Sequence, residues 1–181
     1  YHDHSPAGIA DLCGNVWEWV SGMRLKDGEI QIIPCGNAMK STCSMAADST
    51  EWKAITEDGS LVAPGTAVTL KIDMKTAGAT PQISTTITNT TSGEQYPSLP
   101  FKDLAKADTI SGDIPKLLIA MGMFKDEGCT YGGDRFYARN DGERLPFRGS
   151  SFNNTSNGGV SAVNLNNPRS NVNVNIGFRS A

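Results

Sequence analysis

The chain has 181 residues, 16 Lys+Arg against 19 Asp+Glu for a formal net charge of −3, and 38% apolar residues. That is enough chain for one domain with a substantial core, and its mild acidity argues against a nucleic-acid phosphate backbone as partner. No apolar run approaches the roughly 20 residues that a spanning helix needs, so membrane insertion is not expected.

No secretory signal peptide is expected either, and a first residue of Tyr1 rather than Met leads us to expect the C-terminal part of a longer protein. Charged residues are only 19%, and the balance is taken by Gly, Ser, Thr and Asn, a mixture that favours turns and short strands. Cys13, Cys35, Cys43 and Cys129 form no Cys-x-x-Cys pair, and His2 and His4 are the only histidines. A Cys/His zinc site is not expected; four cysteines allow three pairings, and mostly free, buried thiols are the expectation.

In chain order, residues 9–22 read as a turn and a strand, with Trp17 and Trp19 on one face and Val16, Glu18 and Val20 on the other. Glu29 to Ile33 reads as a second strand, 35–50 as a loop, and Val68 to Ile72 as a weaker strand. Residues 76–100 are either an irregular insertion or a hairpin around Ile83 and Ile87. Asp113 to Phe124 is the best helix: Asp113 suits the N-cap, Pro115 the first turn, and Leu117, Leu118, Ala120 and Met121 give an apolar stripe. Arg135 to Arg139 and Arg144 to Phe147 read as strands joined by a hairpin at Asn140-Asp141-Gly142. The sum is a mixed α+β domain.

The tail differs from the rest. Residues 153–175 hold nine asparagines, where the preceding 152 residues hold four. From Arg148 onward there are three arginines and no acids. Asparagine is poor in helix and strand interiors, yet Val160, Ala162, Val163, Leu165, Ile176 and Phe178 are interleaved as apolar anchors. An ordered framework carrying exposed amides is therefore expected, rather than a disordered Asn-rich tail. Each amide offers two donors and an acceptor and none titrates near pH 7, which suits contact rather than catalysis.

These residues carry a resemblance. Gly8-Ile9-Ala10-Asp11-Leu12-Cys13-Gly14-Asn15-Val16-Trp17-Glu18-Trp19 resembles a signature of the formylglycine-generating-enzyme (sulfatase-modifying factor) branch of the C-type lectin fold. Arg148-Gly149-Ser150-Ser151-Phe152 is similar to that branch's arginine-glycine-glycine-serine-tryptophan step, and Asn175-Ile176-Gly177-Phe178-Arg179 to its closing strand. The match is specific over 5–33 and 130–181, and 35–125 is a loosely matched insertion. Gly158 to Ser170 is similar, more narrowly, to the variable region of diversity-generating-retroelement target proteins.

The resemblance implies one C-type-lectin-like domain over 1–181, of the formylglycine-generating-enzyme subtype, with short antiparallel strands, long loops and few helices. It implies a variable-region-like segment at 148–181, rewritten at adenines by an error-prone reverse transcriptase; Asn codons begin with two adenines. The contact residues it implies are Ser151, Phe152, Asn153, Asn157, Asn164, Asn166, Asn167, Asn171, Asn173 and Asn175. Gly158, Gly159, Val160, Ala162, Leu165, Arg169, Ser170, Gly177 and Arg179 would be framework. Asp134, Arg135, Tyr137 and Arg139 are candidates to border the display face. Arg148, Arg169 and Arg179 are expected to anchor loops, Trp17 and Trp19 to be core.

The enzyme branch needs two cysteines after that step; the aligned positions here are Asn154 and Gly159, so formylglycine-generating activity is not expected. The sugar-binding calcium triplets of ordinary C-type lectins are missing from the sequence as well. The resemblance does imply a structural calcium, held by the Asp11 and Glu18 carboxylates and the Gly14 and Val16 carbonyls, hard donors that suit it. The alternative is that Asp11 caps the turn and Glu18 pairs with an arginine. The expectation is a non-catalytic binder of protein or glycan at a virion or cell surface, a phage tropism determinant among the options, with no required cofactor. A formylglycine-type oxidase and a structural virion or surface module are its rivals.

Overall fold

The computed structural model describes residues 13–76 and 79–178. Its strands are β1 (Trp17–Trp19), β2 (Met23–Lys26), β3 (Glu29–Ile32), β4 (Lys53–Ile55), β5 (Leu61–Val62), β6 (Lys71–Met74) and β7 (Pro81–Ser84), followed by β8 (Ser98–Pro100) and β9 (Arg135–Ala138). The last four are β10 (Glu143–Arg144), β11 (Phe147–Arg148), β12 (Val163–Leu165) and β13 (Ile176–Gly177), and the one α-helix among the described residues is α1 (Lys116–Ala120). The protein is therefore sheet-rich with little helix, as a composition poor in helix formers requires.

Two sheets are formed. One runs β10-β2-β3-β4-β5, with β6 joining β3 and β7 pairing with β6, and its pairings are antiparallel. The other runs β13-β1-β11-β12-β9-β8. Here the expectation of antiparallel strands is corrected: β1 with β13 and β12 with β9 are parallel. Long connections make this possible, since parallel neighbours cannot be joined by a tight turn.

The main core draws on both sheets. Leu25, Ile30, Ile55, Ile72 and Ile83 come from one, Leu99, Phe136, Ala138, Val163 and Leu165 from the other, and Phe101, Leu104, Leu118 and Met123 from the connections. A smaller cluster of Trp17, Phe147 and Ala162, flanked by Trp19, Tyr137 and Ile176, packs separately. The two clusters follow from strand alternation. In β9 and β12, Phe136, Ala138, Val163 and Leu165 are buried in the main core, while Tyr137 and Asn164 between them are only half-buried.

Several expectations are corrected. Asn140-Asp141-Gly142 does not close a hairpin: β9 pairs with β8 and β12, whereas β10 pairs with β2 in the other sheet. The segment is a corner between sheets, held by side chains. Asn140 Oδ1 accepts from the Thr91 backbone N–H at 2.8 Å, and its Nδ2 donates to the Asn89 carbonyl at 2.8 Å. Arg139 grips Asp141 with two bonds of 2.9 Å, Arg144 donates at 2.6 Å, and the Thr91 hydroxyl at 2.7 Å. Burial would raise the Asp141 pKa, but the hydrogen bonds from Arg139 and Thr91 and the two guanidinium charges outweigh it and hold it at about 2.

The helix is shorter than expected and is N-capped by Pro115 rather than Asp113. It ends at Ala120, with Met121 as its C-cap, and the following Gly122 has a left-handed φ of 62° that is cheap only for glycine. A side chain there would also meet the Arg148 guanidinium, which donates to the Met121 and Gly122 carbonyls at 2.6 and 3.0 Å. Burial pushes the Arg148 pKa down to about 10. The hairpin option for 76–100 is met in part, since Ile83 sits in β7, which pairs with β6. β2, β4, β5, β8 and β12 were not anticipated. The four cysteines are free, but Cys13, Cys35 and Cys129 are exposed rather than buried.

Candidate functional site

The register of the six-stranded sheet sets out a row of side chains. Ser98 pairs with Tyr137, Tyr137 with Asn164, Asn164 with Phe147, and Phe147 with Trp19. Cross-strand partners share a face, so Asn164 lies between the rings of Tyr137 and Phe147 on the side away from the main core. Trp17, from the same face of β1, meets Tyr137 edge-on with ring centroids 6.1 Å apart.

Over this row the tail folds back and forms a concavity of about 200 Å³. Six of its lining residues are Asn164, Asn166, Asn167, Asn171, Asn173 and Asn175; Trp17, Tyr96, Phe147 and Ile176 complete it. No charged side chain is among them. Six of the ten residues expected to make contact are thus gathered at one place.

The amides are partly spent on one another. Asn164 Oδ1 accepts from the Asn166 backbone N–H at 2.9 Å and from Asn167 Nδ2 at 3.2 Å, and Asn171 Nδ2 donates to Asn167 Oδ1 at 2.5 Å. Asn164, Asn167, Asn171 and Asn175 are half-buried, Asn173 is exposed, and Asn166 is only 5% exposed. The Asn166 Oδ1 is buried with no hydrogen-bond partner among the described residues, an arrangement that costs about 1–3 kcal/mol.

Two expected contact residues are corrected on this ground. Asn166 and Ser151 are buried, not outward. Ser151 anchors its loop: its Oγ donates toward Asn153 Oδ1 and Asn154 Oδ1, both at 2.7 Å, and its backbone N–H donates to Asn154 Oδ1 at 3.0 Å. Phe152, Asn153 and Asn157 are exposed but do not line the concavity.

The anchors are also partly reversed. Ala162, Val163 and Leu165 are fully buried, but Val160 and Phe178 are exposed, as are Val172 at 93% and Val174 at 88%. Alternation in Asn171-Val172-Asn173-Val174-Asn175 turns asparagines toward the concavity and leaves the valines in solvent. Gly158 and Gly159 do behave as framework, since a Cβ at either would collide with Ser150 or Asp134.

The border residues divide. Tyr137 sits in the row beside Asn164, and Arg135 donates to Ser98 Oγ at 2.8 Å. Asp134 accepts from the Ser161 backbone N–H at 2.8 Å and so fixes the tail. Arg139 faces the Tyr96 ring at 5.9 Å. Tyr96, 59% exposed at the rim, was missed; it lies in a Thr-, Ser- and Gly-rich stretch with no periodic signal. Arg169 binds Glu143, with Nη2 2.9 Å from Oε1, and Arg24 reaches the same oxygen at 2.8 Å while facing the Trp52 ring.

For the calcium set, Asp11 lies outside the described residues, as do His2, His4 and Arg179. Gly14 and Asn15 take left-handed backbone, and the Gly14 N–H donates to the Gly149 carbonyl at 2.7 Å. Glu18 is half-buried on β1. Among the described residues no group of three His, Cys, Asp or Glu side chains comes together; the implied set uses two carbonyls, and its all-oxygen chemistry fits calcium. No helix among the described residues is long and apolar enough to cross a membrane. No protein-family model matches the chain, and no curated protein matches it.

Proposed function

We propose that the chain is a non-catalytic binding protein of the C-type lectin fold, of the formylglycine-generating-enzyme type, whose Asn-rich tail is a retroelement-diversified contact surface on a virion or cell. One observation carries the reading. Six tail asparagines line a single concavity, while Val163 and Leu165, the immediate neighbours of Asn164, are fully buried in the core. Contact and support thus alternate along the same strand, so the lining can change without the support.

Affinity on this reading comes from replacement of amides by Tyr or Trp, which supply large rigid contact area. The buried positions narrow the variable set to Asn164, Asn167, Asn171, Asn173 and Asn175 around the concavity, with Phe152, Asn153 and Asn157 outside it. Ser151 and Asn166 drop out. The same reading assigns a structural calcium to Asp11, Gly14, Val16 and Glu18, where it would tie the turn to β1. Chelation should then lower the melting temperature, and an unchanged melt removes the metal.

The test is a displayed library that randomises Asn167, Asn171 and Asn173 with all else constant. Most members should fold, and selection against a panel of surface proteins should enrich Tyr- and Trp-bearing binders. A library in which most members fail to fold, or which yields no binder, overturns the reading.

A further inference from the structure

We infer that a second cavity, away from the asparagine-lined concavity, binds a small aromatic carboxylate, with its ring against Trp19 and Trp52 and its carboxylate on Arg169. The cavity, of about 320 Å³, opens where the chain crosses from the six-stranded sheet to the seven-stranded one between β1 and β2. That volume lies at the lower end of the roughly 300–1,000 Å³ of small-molecule sites and suits one ring or two fused rings. The inference is independent of the role given to the tail asparagines, none of which lines this cavity.

The lining is largely apolar and aromatic. Met23 and Trp52 are buried in it, and Trp19 and Leu145 are half-buried. The Trp52 indole N–H is spent on the Ala46 carbonyl at 2.9 Å, and the Arg24 guanidinium lies 4.4 Å from the Trp52 ring centroid. The ring is therefore fixed and keeps no polar group for a ligand to satisfy. Trp19 is set by its edge-on contact with Phe147. Two indoles held by packing form a ready-made aromatic surface, and a flat ring is the partner that matches it. Phe178, exposed at the mouth, adds a third ring that a ligand would cover.

Charge complementarity selects the polar end of the ligand. No carboxylate lines the cavity, and Arg169 is its one charged side chain. Glu143 accepts from Arg169 Nε at 3.1 Å and Nη2 at 2.9 Å, and the same carboxylate takes Arg24 at 2.8 Å. Two guanidiniums thus share one carboxylate, so one of their positive charges has no ion-pair partner among the described residues. The Arg169 Nη1 has no acceptor among them either. A neutral apolar ligand would leave that charge unanswered and a cation would be repelled, whereas a carboxylate meets it with a charge-assisted hydrogen bond. Its bonds to Glu143 hold the Arg169 guanidinium in place before the ligand arrives, which lowers the cost of binding.

Indole Nε1–H NMR signals of the three tryptophans in the intact protein test this, with Trp17 as internal control because it lines the other concavity. The probe is 2-naphthoate; 2-naphthamide keeps the rings without the charge, and acetate keeps the charge without the rings. The naphthoate should shift the Trp19 and Trp52 signals saturably and leave Trp17 unmoved. The naphthamide should bind about tenfold more weakly, and acetate should shift nothing. Arg169→Gln should remove the preference for naphthoate while naphthamide affinity stays unchanged, a split that loss of a purely structural ion pair would not produce. Ser21→Phe, at an exposed lining position, should block both ligands and serves if the first variant does not fold. No saturable shift of Trp19 or Trp52, a shift of Trp17 alone, or equal affinity for naphthoate and naphthamide overturns the inference. So does a preference that survives Arg169→Gln, or full binding by Ser21→Phe.

Discussion

On one face of the six-stranded sheet, Phe136, Ala138, Val163 and Leu165 are fully buried among aliphatic neighbours. One residue along, Asn164 faces the other way and, with Phe147 across from it, lines a polar hollow. The faces share strands and hydrogen-bond ladders and differ only in the phase of alternation. Rigidity and recognition are thus not assigned to separate segments here. They are assigned to odd and even positions of one segment, so the lining inherits its geometry from the core behind it.

The comparison can be broken most sharply at Leu165. Leu165→Ala should cost about 2–5 kcal/mol in urea unfolding, and a loss no greater than that of Asn164→Ala would erase the difference between the faces. Next comes the corner that holds the two sheets in apposition. Asn140→Ala should cost about 1–3 kcal/mol, because it strands the buried Thr91 N–H and the Asn89 carbonyl. A neutral result would mean that the aliphatic face keeps the sheets together unaided.

A smaller effect should come from acid. The Asp141 pKa is lowered from 3.8 to about 2, so its carboxylate stabilises the fold above about pH 4 and loses that contribution as pH falls through about 2. Its partial exposure limits the effect to the order of 1 kcal/mol. Asp141→Asn should flatten that part of the stability–pH curve, and an unchanged curve would remove the assignment. The smallest effect belongs to the polar face: Asn173→Tyr should stay within about 0.5 kcal/mol of the parent, about 2 °C in Tm for a chain this size.

Strands are legible in the sequence where apolar residues mark them. Trp17 and Trp19, Glu29 to Ile32, and Arg135 to Ala138 all fall in strands; burial alternates in the last of them, whereas all four residues of Glu29 to Ile32 are buried. Phase and pairing that are set at long range are not legible there. The alternation of asparagine and valine over 171–175 shows that two faces exist, but not which one turns inward; the valines proved to be outside. Asn140-Asp141-Gly142 has hairpin composition, yet its partners are Thr91, Arg139 and Arg144, and no local rule specifies a side chain 49 residues away. Tyr96 reached the rim through a stretch without periodicity. Gathering the tail asparagines at one place needed only their density; the burial of Asn166 and Ser151 needed coordinates.

The parallel pairing of β13 with β1 has a consequence for synthesis. The strand at one border of this sheet, β13, and its neighbour β1 are separated by the eleven strands between them in sequence, and β12 is likewise made late. A nascent chain therefore cannot complete the sheet until residue 177 has left the ribosome, and must meanwhile keep the indoles of Trp17 and Trp19 from other surfaces. A chain that stops before β12 lacks two of the six strands of this sheet and cannot close it.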